Sequence, residues 1–234
     1  MKVPKETKAR PSAVRHGTWY QDACGTAFGM ELVGERWSLL IVRELMFGPM
    51  RFSDIRAQLP GISAKVLTER LVKLEQAGAL VRRTLPPPGA AQVYELTEWG
   101  YAAEPVVQEL GRWAARSVHH DPTLPLSPVS FMLSLRTMFD PAKAAGMTAR
   151  IGFRIGTTPF VAVLKDDRLP VEKREPGDVD AIFRSPDGGP PLAAHFYGGV
   201  PVDELGIAVE GDTALAVRFV DIFELPPKLN VSPA

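Results

Sequence analysis

The 234 residues hold 27 Lys and Arg against 27 Asp and Glu, 45% hydrophobic side chains, four histidines and a single cysteine. One cysteine excludes an internal disulfide, and scattered histidines beside it offer no zinc spacing, so neither a metal nor a cofactor is expected. No apolar run nears the roughly 20 residues that span a bilayer, and Met1 to Lys8 lacks the apolar core of a secretory signal, so a cytoplasmic chain without membrane contact is expected.

Charge is unevenly spread. Residues 1–118 carry 16 Lys and Arg against 12 Asp and Glu, net +4, and the remainder is net −4, so the front half is the one suited to phosphate. Much of that excess sits in Met1 to Gly17, where prolines and charges without apolar periodicity predict a basic disordered arm over 1–18. Trp19 to Val33 is expected to be helical. Trp37, Leu40, Ile41 and Leu45 give a core helix that stops at Gly48-Pro49, and Phe52, Ile55 and Leu59 give a short third helix.

Only Pro60-Gly61-Ile62 separates that helix from Ser63, an N-cap candidate for the next. There, Leu67, Leu71 and Leu74 recur at i, i+4 and i+7, and Gly78 can take the left-handed conformation that ends a helix. Two short helices with a tight glycine-containing joint fit a helix-turn-helix, whose second helix enters the major groove of DNA. Leu80 to Leu85 and Gln92 to Leu96 read as two strands joined by Pro86 to Ala91, which completes a winged helix. Thr97 then caps a helix that Pro105 must kink or restart, with Val106, Leu110 and Trp113 on one stripe.

Cys24 with Trp37, Arg51-Phe52-Ser53, Pro60-Gly61-Ile62-Ser63, Leu67-Thr68-x-Arg70-Leu71, Leu74-Glu75-x-x-Gly78, Tyr94-x-Leu96-Thr97, Gly100 and Pro105 together resemble the HxlR-type winged-helix transcription regulators. The resemblance covers about Cys24 to Trp113. It implies a homodimeric bacterial regulator, more often a repressor, on a two-fold related double-stranded operator, with the opening and final helices packing across the dimer. Cys24 aligns with a cysteine that some members use to sense electrophiles or oxidants. Gly25 replaces the usual following proline, and apolar neighbours predict a buried, dulled thiol, so helix packing stands beside a redox role.

For DNA, Lys65 and Thr68 are placed on the groove-facing side of the recognition helix and Ser63 at its N-terminus for a phosphate. Lys73, Arg51, Arg82 and Arg83 are further phosphate candidates, since Ser63 to Arg83 holds five cations against Glu69 and Glu75. Arg70 lies beside the core stripe, where a salt bridge competes with a DNA contact. The wing tip lacks the basic residue often found in the family, which shifts contact to Arg82 and Arg83.

The winged-helix domain is set at 19–118, a proline-rich linker at 119–128, a second domain at 129–225 and a tail at 226–234. In the second domain, Val129 to Phe139 is expected to be helical. Thr148 to Ile155, Phe160 to Lys165, Leu169 to Lys173 and Val179 to Arg184 are expected strands, followed by helical Leu192 to Tyr197 and Val202 to Leu205 and a strand from Gly206 to Val209. Consecutive strands point to a mixed or antiparallel sheet, making the chain α+β. Asp180 to Ser185 and Gly206 to Phe219, with its Gly211-Asp212-Thr213-Ala214-Leu215 motif, resemble the close of a sterol-carrier-protein-like domain. That likeness implies a cavity for a small apolar effector, with Ile151, Phe153, Val161, Val163 and Phe196 as candidate lining residues; a filled core competes for each. Two functions from different classes follow: a ligand-responsive transcription regulator, or a cytoplasmic carrier of apolar molecules whose winged helix only dimerises it. An enzyme is not expected, since no nucleophile elbow, phosphate loop or spaced acid-base pair is present.

Overall fold

The structure is a computed structural model that describes residues 15–86 and 91–229. The start of the expected basic arm, the tip of the wing at 87–90 and the end of the expected tail lie outside them. The chain divides into two compact units, one running up to Leu45 and again over Pro49–Ala102, the other made of Met46–Gly48 with the chain from Ala103 onward.

In the first unit, α1 (Gly25–Val33), α2 (Ser38–Glu44), α3 (Phe52–Gln58) and α4 (Ala64–Gln76) precede a hairpin of β1 (Leu80–Thr84) and β2 (Gln92–Leu96), followed by α5 (Glu98–Tyr101). Helix α1 is shorter than the Trp19 to Val33 expected. The Trp19 and Tyr20 N–H groups donate to the Glu31 carboxylate, at 2.8 and 3.0 Å, which draws the preceding segment off the helix axis. The core is built from Ile41, Val42, Ile55, Leu59, Leu67, Leu71, Leu74 and Leu80, all essentially without solvent contact. Thr97 caps α5, its hydroxyl accepting from the Gly100 N–H at 3.1 Å and donating to the Gly78 carbonyl at 2.7 Å. Gly100 is required there, because a Cβ would collide with the Ala79 carbonyl oxygen.

The second unit opens with α6 (Glu104–Ala115), which carries Pro105 in its first turn as a fresh start and not as a kink. Although the sequence assigns this helix to the winged-helix domain, it packs against α7 (Pro128–Met138): Arg136 pairs with Glu104 at 2.9 Å, and Arg112 donates to the Thr137 carbonyl. Ser127 caps α7 by accepting from the Ser130 N–H at 2.9 Å. There follow β3 (Ala149–Ile155), β4 (Thr158–Leu164), β5 (Val171–Glu172), β6 (Ala181–Ser185), α8 (Gly189–Gly198), β7 (Ala208–Gly211) and α9 (Thr213–Val220). The five strands lie in the order β5-β4-β3-β6-β7. All neighbours are antiparallel except β3 and β6, which run parallel, so the sheet is mixed. Val202 to Leu205, expected as helix, forms turns in which the Leu205 and Ile207 N–H groups both donate to the Val202 carbonyl.

The helix-facing side of this sheet is sealed by aromatic rings. Phe153 stacks on Phe183 with centroids 5.5 Å apart and meets Phe131, Phe196 and Phe219 at 6.1 to 6.4 Å. Lys228, near the end of the described chain, donates to the Ala115 and Ser117 carbonyls at 2.9 Å each, placing a cation at the C-terminus of α6. Among the described residues no helix is long and apolar enough to cross a membrane, and no cluster of potential metal ligands occurs.

Candidate nucleic-acid interface

The helix-turn-helix follows from local chemistry. Ile62 is buried in the turn, and the Ser63 hydroxyl accepts the Val66 N–H at 3.2 Å, fixing the first turn of α4. Leu67, Leu71 and Leu74 anchor the inner face, and Gly78, at φ 77°, lets the chain leave the helix for β1. The opposite face is left to solvent. It carries Lys65 and Thr68, as expected, and also Glu69 and Val72, which lie on the same outward surface by the 3.6-residue period.

The seven DNA candidates are not equally available. Lys65 and Arg51 are exposed and, among the described residues, have no ion-pair partner. Arg56 on α3 shares that condition, although nothing in the sequence singled it out. The Ser63 hydroxyl is engaged by its own helix, and Thr68 donates its hydroxyl hydrogen to the Ala64 carbonyl at 2.9 Å. Lys73 pairs with Glu35 and lies 5.3 Å from the Trp19 ring centre. Arg70 closes on the same carboxylate and donates to the Arg36 carbonyl at 3.2 Å, which resolves its two readings in favour of a structural ion pair. Glu35 therefore holds both cations against the start of α2, from more than thirty positions away in sequence, where no local pattern could show it.

On the wing, Arg82 meets Glu75 at 3.3 Å and Arg83 meets Glu95 at 3.1 Å, both pairs solvent-exposed. Exposed pairs of this kind contribute only about 0.2–1 kcal/mol, so either arginine can exchange its carboxylate for a phosphate at small cost.

Cys24 departs from expectation. Because α1 begins at Gly25, the cysteine stands at the N-cap position, exposed and not buried among apolar neighbours. Its thiol makes no capping hydrogen bond. The Thr26 N–H first, then the Thr26 hydroxyl and the Ala27 N–H, favour a thiolate there and hold the thiol below the ordinary cysteine range. Tyr20, Gln21, Asp22, Thr26, Ala27 and Met30 surround it in an open cleft of about 660 Å³.

The effector-cavity candidates do not form one surface. Ile151, Phe153 and Phe196 belong to the sealed core. Val161 pairs in register with Gly152 and Val163 with Arg150, so both valines point to the other face of the sheet. The β4 residues that share the face of Phe153 are Phe160, Ala162 and Leu164. The five residues thus divide between two faces, and the three on the helix side pack against one another's neighbours.

The HxlR-like helix-turn-helix family model matches residues 32–122. The HTH-type transcriptional regulator YodB of Bacillus subtilis strain 168 is 46% identical over 83 residues, which are 36% of this chain and 74% of that relative. This chain belongs to the HxlR-like helix-turn-helix family. An uncharacterized HTH-type transcriptional regulator of the same organism, YvaP, is 40% identical over 85 residues, 36% of this chain and 79% of the relative. A solved structure of the reduced form of YodB aligns at 39% identity over 43% of this chain and 100% of its own, with a TM-score of 0.38. These relatives are named as transcription regulators, in agreement with a non-enzymatic role. Residues 123–234 lie beyond the family match.

Proposed function

We propose that the chain is a homodimeric, DNA-binding transcription regulator that reads a two-fold related operator with α4 and steadies itself on phosphate with Arg51, Arg82 and Arg83. The carrying observation is the outward face of α4: Lys65 is exposed and, among the described residues, without an ion pair at the N-terminal turn of a capped helix, while the inner face is fully committed to the core. Surfaces suited to a second copy stand open in each unit. None of α1 is buried, with Met30 45% exposed, and on α6 the stripe Val106, Leu110 and Trp113 is 57%, 48% and 72% exposed. Repression is the sign the family favours.

The test is a mobility shift of the full chain on the DNA upstream of its own gene, with a salt titration and unrelated competitor. Wild type is expected to bind specifically and to weaken steeply with salt. Lys65→Ala with Arg83→Ala abolishes the shift while leaving the dimer and its melting temperature nearly unchanged; persistent binding by that variant would refute this reading surface.

Cys24 supplies a second input to the same reading. Its exposure and the donors that favour its thiolate support reaction with electrophiles or oxidants. Alkylation rate against pH is expected to rise at a lower midpoint than for a free cysteine peptide, and an unshifted midpoint would remove this input. The apolar effector expected for the second unit draws support from its mixed sheet and helical cover. Since three of its nominated lining residues are packed core, a ligand there would have to part the aromatic cluster. The alternative of an apolar-molecule carrier predicts ligand binding without specific DNA affinity.

A further inference from the structure

Along the outward face of α4, Lys65, Glu69, Val72 and Gln76 follow at i, i+4, i+7 and i+11, opposite the Leu67, Leu71, Leu74 stripe. Three other carboxylates on or against α4 and the wing are matched by cations: Glu35 by Arg70 and Lys73, Glu75 by Arg82, Glu95 by Arg83. Glu69 is exposed and, among the described residues, has neither an ion pair nor a hydrogen bond, even though Lys65 stands one turn before it. A bare carboxylate at the centre of a surface that approaches a polyanion is repelled at any position over phosphate. It becomes favourable where it accepts a hydrogen bond from a base, and in the major groove the cytosine N4 amino group is the donor that suits it.

Val72, one turn further along, is 40% exposed, and Thr68 has turned its hydroxyl to the Ala64 carbonyl. Val72 therefore sets an apolar group beside the carboxylate, and its complement in the groove is the thymine C5-methyl group. We infer that Glu69 is the specificity-determining residue of the recognition helix, reading a cytosine in each half-site, with Val72 against the methyl of a neighbouring thymine. The inference rests on the proposed DNA-binding role of α4 and gives its substrate a class: half-sites with a pyrimidine step containing a C·G pair.

The experiment is selection by the full chain from a library of duplexes with a randomised core, carried out in parallel for wild type, Glu69→Ala and Val72→Ala. Among the described residues Glu69 has no ion pair or hydrogen bond, so matched melting temperatures are expected, and they confirm that the variants remain folded. Wild type is expected to enrich a motif with a fixed C·G pair in each half-site. Glu69→Ala loses that preference by about tenfold or more while binding unselected duplex as well as wild type or better. Replacing the neighbouring thymine by deoxyuridine weakens wild type severalfold and leaves Val72→Ala unaffected. If wild type enriches a motif and Glu69→Ala enriches the same one with the same C·G preference, the Glu69 assignment is overturned and DNA reading by α4 stands. If wild type enriches nothing, both fall.

Discussion

Helix α1 buries none of its nine residues and α4 only three of its thirteen, whereas α7, in the other unit, buries seven of its eleven. The phenylalanine rings on the sheet of the second unit meet one another, while the rings of Trp19 and Tyr20 in the first remain half in solvent. A folded domain gains little from leaving such groups exposed, so the difference separates the sheet core of the second unit, which closes on its own side chains, from surfaces left open to solvent, α1 in the first unit and the Val106, Leu110 and Trp113 stripe of α6 in the second.

The sharpest way to break that contrast is to open the closed unit. Phe153 is fully buried between β6, α7, α8 and α9, and Phe153→Ala is expected to lower stability by about 3–5 kcal/mol in denaturant unfolding of the full chain. A loss below about 1 kcal/mol would mean that the cluster yields easily. That outcome would restore the case for an apolar ligand entering there.

A smaller effect separates the two duties assigned to Ser63. As an N-cap its removal is expected to cost about 1 kcal/mol, and Asp212→Ala, which removes the matching cap from α9 where Asp212 accepts the Leu215 N–H at 2.9 Å, should cost the same. If capping is all that Ser63 does, Ser63→Ala leaves the salt dependence of DNA binding untouched. A shallower dependence in the folded variant would show that the hydroxyl also meets a phosphate.

The contrast also explains what was legible. Helix α4 could be placed from sequence because its cap, its leucine stripe and its terminating glycine are all local, and the wing strands follow from the same logic. The face of β4 could not. Phe160 and Val161 are both fully buried, so the alternation that assigns faces is lost, and Val161 and Val163 read from sequence as if on the side that belongs to Phe160, Ala162 and Leu164. The parallel pairing of β3 with β6 depends on a crossover through β4 and β5, which no single strand encodes. Cys24 falls outside the helix for a related reason, since the interaction at its late start comes from Glu31, on the helix itself but reaching back eleven and twelve positions.

The mildest test lies where the second unit holds α6 against α7. Glu104 sits largely buried against Arg136, whose guanidinium also lies 5.9 Å from the Phe47 ring centre. Burial raises the Glu104 carboxyl above the usual carboxylate range, and the Arg136 charge offsets only part of that rise. A carboxyl whose pKa is higher in the folded chain contributes its full stability below the unfolded value and loses it as pH climbs through the folded one. Glu104→Gln, which cannot ionise, is therefore expected to match wild type at acidic pH and to become slightly more stable than it near neutrality, by less than about 1 kcal/mol. Melting temperatures of both proteins measured from acid to neutral pH decide the sign. A variant that is instead less stable near neutrality would show that the pairing with Arg136 outweighs the burial of the charge, and that α6 is held to its unit by electrostatics as well as by packing.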